Sequence, residues 1–321
     1  MISSTSATVS TVTGQVPADA LGVTLPHEHV IHRISLYSGK ADNVFDDVEM
    51  MVEELARFKA AGGGTVCDVT PIGVGRDPRA LREVSRKSGV TIISGVGLYM
   101  ADVLPQEVSG LSASALADYL VGQIEGDDCG VRAGMIGEIA SHNEGDPDWQ
   151  SYRLTEQEER IFRAAAKAQR RTGLCISTHA SLGRGGVAQL RTLLQAGAEP
   201  QRIIIGHCDA HSHLDVEDEM RYYHTLLDEG ASIQFDLFGW EELIPDNDRF
   251  DRVARLVSEG FADRILLSTD TCRRSQLHRF GGRGFDYLFN VVLPGLREHG
   301  VLEGQIHQMT VVNPANVLAA N

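Results

Sequence analysis

Six residues of types that bind metal ions or transfer protons stand at the ends of apolar, β-branched runs of the chain. His27 and His29 close the run GVTLPHEH, and later runs carry Glu138, His179, His207 and Asp270. Side chains two positions apart in a strand point to the same side, so His27 and His29 can bind one metal ion. Four imidazoles and two carboxylates are enough for two divalent ions that share a carboxylate.

Two such ions would carry out hydrolysis. Divalent cations that share a bridging water lower the pKa of that water enough to give hydroxide near neutral pH, and the more exposed ion polarises a carbonyl or phosphoryl oxygen. Asp270, in contact with metal and hydroxide, is the predicted proton acceptor. Zinc is the predicted ion, and manganese, cobalt or iron also fits mixed nitrogen and oxygen ligands. We expect activity to be lost at acid pH and on chelation.

The elements that would position these residues alternate regularly after a predicted hairpin around Gly14. The predicted strands are Val23–His27, Thr65–Val69, Thr91–Val96, Ala133–Ile139, Leu174–His179, Arg202–His207, Ala231–Asp236 and Arg264–Asp270. The predicted helices are Asp46–Ala61, Pro78–Ser88, Ser112–Glu125, Glu156–Thr172, Gly185–Ala196, Asp215–Glu229, Asp248–Glu259 and Phe285–His299. Thr155 and Glu158 can form a capping box on the fourth helix, and Gly173 suits its end.

Eight β-then-α units predict a (β/α)8 TIM barrel that takes up residues 1–321 as one metal-dependent hydrolase domain. In such a barrel the chemistry lies at the carboxyl ends of the strands, which is where the six residues fall. A doubly wound open sheet is the alternative, but no Gly-x-Gly-x-x-Gly follows an early strand. The closing segment 307–320, with Asn313-Pro314 ahead of a short apolar helix, is expected to pack over the barrel.

Composition excludes several classes of partner. The net charge is -15 with only four lysines among 321 residues, so we expect neither a nucleic-acid nor an acidic-membrane partner. The sequence shows neither a signal-peptide pattern nor an apolar run of membrane-span length, and a cytoplasmic location is expected. Five cysteines, at positions 67, 129, 175, 208 and 272, include no Cys-x-x-Cys pair, which suits reduced thiols; Cys67 and Cys175 are expected in the core.

Taken in order, the motifs resemble those of the phosphotriesterase family of the amidohydrolase superfamily. The matching segments are GVTLPHEH, GEIASHNEG, STHAS, IGHCDAH, LSTDTCRRS and VNPANVL. The resemblance covers nearly the whole chain and implies a homodimer. It also implies a ligand assignment: His27, His29 and Asp270 for the more buried metal, His179 and His207 for the more exposed metal, and Glu138 as the bridge.

Two departures from the family pattern bear on the bridge and on the substrate. In the family's organophosphate hydrolases and lactonases the bridge is a carboxylated lysine, but here no lysine stands between Lys87 and Lys167. Glu138 takes that place, as in the glutamate-bridged branch called phosphotriesterase homology proteins. Ala210 and Leu237 occupy the places of the proton-relay aspartate and histidine of organophosphate hydrolases, and the arginine of the lactonase branch is also absent. Efficient phosphotriester hydrolysis is therefore not expected.

Three residues near strand ends are predicted to contact the substrate. Tyr99 could orient a substrate oxygen, although a core position is equally consistent with its place after the third strand. Trp240 offers an apolar wall after the seventh strand. Arg273 could bind an anionic group of the substrate or pair with a neighbouring acid. The glycine-rich loop 273–285 fits a mobile lid and a plain loop equally well.

Other polar residues of these segments are expected to support the site or to lie outside it. Asp209 and Asp236 are candidates to accept a hydrogen bond from the second nitrogen of a ligand histidine. Glu28 should point to the opposite face from its neighbours, with a structural role. A second His-x-His pair, His211 and His213, follows the strand end by several residues and is not predicted to contact substrate.

Three functions remain open at this point. The first is a binuclear-metal hydrolase that attacks a carboxylic ester, above all a lactone, with the bridging hydroxide. The second is an amide or phosphoester hydrolase that uses the same metals. The third is a non-catalytic small-molecule binding protein that keeps the barrel, which the complete ligand set disfavours.

Overall fold

A short antiparallel hairpin precedes eight parallel strands that stand side by side in chain order. The computed structural model describes residues 7–126, 130–142, 148–180, 184–210 and 215–320. The hairpin strands are β1 (Thr8–Thr11) and β2 (Gly14–Pro17), and the parallel strands are β3 (Val23–Glu28), β4 (Gly63–Asp68), β5 (Thr91–Val96), β6 (Met135–Ser141), β7 (Ile176–Ala180), β8 (Ile203–Ile205), β9 (Ser232–Phe235) and β10 (Ile265–Leu267). Each pairs with the next, whereas a doubly wound sheet reverses its strand order. The predicted TIM barrel is confirmed.

Helices cover the outside of the strands, as the amphipathic segments predict. They are α1 (Ser35–Ser38), α2 (Val48–Ala60), α3 (Pro78–Ser88), α4 (Ala113–Glu125), α5 (Glu156–Thr172), α6 (Gly186–Gln195), α7 (Val216–Asp228), α8 (Asp246–Ser258), α9 (Leu293–Glu298), α10 (Glu303–His307) and α11 (Asn313–Leu318). The predicted capping box is present: Thr155 Oγ1 accepts from Glu158 N at 3.2 Å, and Glu158 Oε2 accepts from Thr155 N at 2.7 Å. Gly173 ends α5 with φ 70°.

Boundaries differ from prediction where the backbone leaves regular geometry. β8 and β10 end at Ile205 and Leu267, two and three residues before His207 and Asp270. Those two residues have φ values of 53° and 43°, which a strand cannot accommodate. The predicted helix 285–299 begins instead as a π-helical turn over 288–292 ahead of α9. Pro294 stands in the first turn of α9 and lacks the N–H that a continuous helix would need.

The amino-terminal end of the barrel is closed by apolar packing. Val317 and Leu318 of α11 lie in one buried cluster with Cys67 and Cys175, which are core residues as expected. Ala320 N donates to Thr8 O at 3.1 Å, so the end of the chain also holds the hairpin. The predicted packing of the closing segment is found at this end, and the opposite, carboxyl end of the strands carries the polar residues.

The described cysteines, Cys67, Cys175, Cys208 and Cys272, are all buried free thiols. Cys129, His211 and His213 lie outside the described residues. None of the helices in the described ranges is long and apolar enough to cross a membrane.

Candidate metal centre

His27 and His29 stand at the carboxyl end of β3 and are almost entirely enclosed. Their relative exposures are 0% and 3%. His29 Nδ1 lies 3.0 Å from the hydroxyl of Thr70, which follows β4, so its Nε2 is left for another partner. Asp68 joins the segments that follow β3 and β4, because its carboxylate accepts hydrogen bonds from the backbone N–H groups of Val30 and Thr70 at 2.7 and 3.1 Å. The ring of His29 is thereby fixed before any ligand arrives.

Glu138 of β6 lies between the histidines of the site. Its Oε2 is 3.4 Å from His27 Nε2 and 3.0 Å from His179 Nδ1, and its Oε1 is 3.8 Å from His29 Nε2. The two oxygens of one carboxylate thus face different nitrogens. This is the position from which a carboxylate can join two ions.

His179 and His207 form the other side of the site. His207 Nε2 and His179 Nδ1 are 2.8 Å apart, closer than two nitrogens without a shared proton or cation approach each other. His207 Nδ1 lies 2.8 Å from Asp236 Oδ1, and the backbone N–H of His207 donates to the same carboxylate at 3.0 Å. Asp236 therefore holds His207 in the role predicted for it. Its Oδ2 also lies 3.3 Å from His27 Nδ1.

Asp270 reaches the site from the turn after β10. Its Oδ1 is 3.5 Å from His29 Nε2 and 4.0 Å from His27 Nε2. Within the described ranges, Asp270 Oδ1 and His27 Nε2 are buried without a hydrogen-bond partner. Buried polar atoms are rarely left unpaired, so these atoms mark where a ligand would sit.

Two groups of donor atoms are close enough together to hold an ion. In each group the ligand atoms all lie within 4.8 Å of one another; the groups are His27 with His29 and Asp270, and His27 with Glu138 and His207. Imidazole nitrogen and carboxylate oxygen are the ligands that zinc and its neighbours prefer. The residues present therefore fit metal ions.

Both carboxylates of the site are ionised at pH 7, although burial disfavours their charged forms. Burial alone would favour the neutral acid, but His179 and His27 hold the pKa of Glu138 well below its usual range. Burial raises the pKa of Asp270 to about 6. Both groups thus carry negative charge at pH 7 and above, as binding of cations requires.

The surroundings shift the pKa values of two of the histidines in opposite directions. Burial lowers the pKa of His29 to about 3, which keeps that ring neutral with a free lone pair. Burial would also lower the pKa of His207, but the adjacent Asp236 outweighs it and raises that pKa to about 10. A cation that binds His207 therefore displaces a proton.

A cavity of about 420 Å³ opens above these residues, and the three predicted substrate contacts all line it. The ring of Tyr99 packs edge-on against His179, with centroids 5.1 Å apart. Trp240 Nε1 donates to Thr269 O at 3.1 Å, and the guanidinium of Arg273 lies 4.0 Å above the Trp240 ring. Arg273 also donates to Glu242 at 2.9 Å, so the predicted pairing with a neighbouring acid is found.

Hydrogen bonds to acidic side chains hold the loop 273–285 against the rest of the barrel. The backbone N–H and the hydroxyl of Ser275 donate to Asp42 at 2.9 and 2.7 Å. The N–H groups of His278 and Arg279 donate to Glu54, at 3.2 and 2.9 Å. These bonds favour a fixed wall over a mobile lid.

Sequence reasoning missed two supporting features. Thr70, which orients His29, follows the end of β4 in the pattern Asp68-x-Thr70, a signal available in the sequence. Arg249 of α8 is almost fully buried and donates to Asp209 at 2.8 Å and to Asp246 at 3.0 Å, holding the turn that carries Leu237 and Trp240. No local pattern marks an arginine of an amphipathic helix as buried.

Comparisons with known proteins agree with this geometry. A sequence model of the phosphotriesterase family matches residues 7–318. The chain is 33% identical to the phosphotriesterase homology protein of Escherichia coli K12, over 92% of this chain and 98% of that protein. It is 32% identical to an N-acetyltaurine hydrolase of Dictyostelium discoideum, over 85% of this chain and 74% of that protein.

A solved structure extends the comparison to three dimensions. It comes from the engineering of organophosphate hydrolysis activity from a weak promiscuous lactonase template, and it superposes with a TM-score of 0.81 at 32% identity over 97% of this chain and all of that one. The activities named for these relatives are therefore hydrolysis of N-acetyltaurine, of organophosphates and of lactones. By sequence and by structure, this chain belongs to the phosphotriesterase family.

Proposed function

We propose that this protein is a binuclear-metal hydrolase of carboxylic esters, and that its substrate is a lactone. The observation that carries the proposal is the convergence of buried imidazole nitrogens and carboxylate oxygens beneath an apolar-walled cavity, with His27 Nε2 and Asp270 Oδ1 left without a hydrogen-bond partner among the described residues. Burying such groups without a partner is unfavourable, and a protein retains them where they bind a ligand.

In this proposal the six residues divide as the family resemblance implies. His27, His29 and Asp270 would hold the inner ion, His179 and His207 would hold the outer ion, and Glu138 would contribute to both. Zinc suits four imidazoles best, and manganese, cobalt or iron fits the same donors.

Two divalent ions bound there supply an activated water and a Lewis acid for the substrate carbonyl. The Asp270 carboxylate, which lies beside His27 and His29, would accept the proton of the attacking water. Tyr99 and Trp240 close the sides of the cavity and limit access of bulk water.

The lining of the cavity supports an acyl substrate over a phosphotriester. Ala210 and Leu237, which stand in place of a proton relay, are buried and line the cavity together with Ile34, Met100 and Leu243. An apolar wall beside a polarised carbonyl fits the hydrocarbon part of a lactone. The lactonase template among the solved relatives also supports a lactone substrate.

Amide hydrolysis is the second candidate, and the N-acetyltaurine hydrolases favour it. Their named substrate joins an acyl group to a sulfonate, so it needs a cation near the carbonyl site. Lys40 and Arg273 both line the cavity. Among the described residues Lys40 has no ion pair, whereas Arg273 is paired with Glu242, so Lys40 is the available cation.

A substrate panel separates the candidates. Lactones of several ring and chain sizes, N-acyl amides that include N-acetyltaurine, and aryl phosphate esters would be tested with zinc or manganese added. We expect the highest kcat/KM on a lactone. Highest activity on an N-acyl amide would favour the second candidate, and metal binding without turnover of any substrate would favour a binding protein.

We also propose that the protein acts as a cytoplasmic homodimer. The family resemblance supports the dimer, and the buried free thiols support a reducing compartment. Light scattering coupled to size exclusion tests the dimer, and a monomer mass would overturn it.

A further inference from the structure

The seam between the first and last barrel strands is closed by side chains. In the described residues no strand pairing joins β10 to β3, although backbone hydrogen bonds join every other pair of neighbouring barrel strands. The hydroxyl of Ser268 accepts from His27 N at 3.1 Å and lies 2.9 Å from His27 O and 2.8 Å from Glu28 Oε1. Because a hydroxyl has one proton, it donates to one of these two acceptors.

Glu28 makes most of the contacts across the seam. Its fully buried carboxylate accepts at Oε1 from the N–H and the hydroxyl of Thr269, both at 2.7 Å. Its Oε2 accepts from Thr271 N at 2.6 Å. With Ser268, a single carboxylate thus faces four donors of the segment that contains Asp270.

Arg283 holds the same segment from the other side. Its guanidinium donates to Thr269 O at 2.8 Å and lies 3.4 Å from the hydroxyl of Thr271. Its Nε is buried against Gly239, where an added Cβ would stand only 2.2 Å away, and the φ of +83° at Gly239 also favours glycine. Thr269 and Thr271 are therefore bound by an anion on one side and a cation on the other.

Asp270 lies between these two threonines with φ at 43°. A non-glycine residue holds that conformation only when its surroundings impose it. Both peptide groups that flank Asp270 are fixed by the contacts of Glu28 and Arg283. The direction of the Asp270 carboxylate follows from them.

We infer that Glu28 and Arg283 are positioning residues, which clamp the turn 269–271 so that the Asp270 carboxylate faces His27 and His29. The effect on metal binding rests on the proposed function, whereas the effect on the backbone does not. Neither residue touches the site itself: they act through Thr269 and Thr271.

Glu28→Gln tests the clamp with minimal change of shape. The glutamine carbonyl can take the place of Oε1, where three donors converge, but its amide then faces Thr271 N–H, donor against donor. We expect metal affinity, measured by competition with a chromogenic chelator, to fall 10- to 100-fold. A crystal structure of the variant should show an altered φ at Asp270.

Glu219→Gln is the matched control. Glu219 is equally buried and accepts from Arg252 at 2.9 Å between α7 and α8, outside the site. This variant should lose thermal stability and keep the metal affinity of the wild type. Loss of stability in both variants with loss of affinity in one alone separates positioning from general destabilisation.

Thr269→Val is a milder second variant if Glu28→Gln does not fold. It removes one donor to Glu28 and keeps the backbone contacts, and we expect metal affinity to fall less than tenfold. Wild-type affinity and an unchanged Asp270 φ in the folded variants would overturn the inference. If the wild type itself binds no metal, the proposed function fails, and the backbone at Asp270 in the variants still decides the clamp.

Discussion

Replacing Glu138 by glutamine removes one negative charge from the middle of the site while keeping its shape. Its two oxygens lie within 3.8 Å of nitrogens of three histidines, His27, His29 and His179. If Glu138 joins two ions, the variant should lose at least one of them. The glutamine side chain has one neutral oxygen that can bind an ion, whereas the Glu138 carboxylate has two oxygens that share a negative charge.

The size of the effect follows from simple electrostatics. A unit charge and a divalent ion about 4 Å apart at an effective dielectric constant of about 20 interact by about 8 kcal/mol. Since about 1.4 kcal/mol changes an equilibrium constant tenfold, loss of even half of that energy should weaken binding of one ion by about a thousandfold. Inductively coupled plasma mass spectrometry after gel filtration should then find about one ion per chain, against two in the wild type.

The metal-free protein gives an independent readout of the same charge. The pKa of Glu138 is lowered in the folded state, so its contribution to stability is present above the unfolded pKa, about 4.3. That contribution is lost as pH falls through the folded-state pKa. Denaturant unfolding of chelated protein should therefore show a stability difference between wild type and variant that grows as pH rises from about 2 to about 5.

Glu219→Gln again serves as the control for loss of a buried carboxylate, and it should retain both ions. If Glu138→Gln kept two ions and the wild-type rate, Glu138 could not be the bridge, and the assignment of the site would fail.

Three further predictions concern the surroundings of the site. Arg249→Met leaves Asp209 and Asp246 buried without their cation, so calorimetry should show a loss of about 3–5 kcal/mol; an unchanged melting temperature would contradict this. Trp240→Ala removes an apolar wall and the hydrogen bond from Trp240 Nε1 to Thr269 O, so steady-state kinetics should show a KM for medium-chain lactones about tenfold higher together with a lower kcat; an unchanged KM would assign Trp240 a different role. Metal affinity should fall continuously from pH 8 to pH 5, because His207, whose pKa is raised to about 10, must release a proton to bind a cation, and Asp270, whose pKa is raised to about 6, gains one below that value; competition titrations over this range that show no slope would refute this.

Much of the site can be predicted from the sequence because the barrel brings the carboxyl ends of its strands together. His27, Glu138 and His179 are far apart in the chain, but each falls late in a predicted strand. Parallel strands in a barrel bring all such ends to one rim, so recognising the alternation of strands and helices places the residues together. Asp236 is similarly predictable, since it ends the strand next to the one that leads to His207.

The parts that were not predictable depend on contacts without a local pattern. Strand alternation correctly turns Glu28 away from the histidines, but its partners at Ser268 to Thr271 lie some 240 residues away. His207 and Asp270 were predicted as the last residues of strands, yet both adopt positive φ. In each case tertiary contacts override the local preference.

The most direct test of the central claim is a titration of activity with metal. Protein stripped by exhaustive chelation would be reconstituted with zinc or manganese, without added bicarbonate, while hydrolysis of the best lactone is followed. We expect no activity without metal and a plateau at two equivalents per chain. A full hydrolysis rate in protein shown to retain less than about a tenth of an equivalent of metal would contradict it.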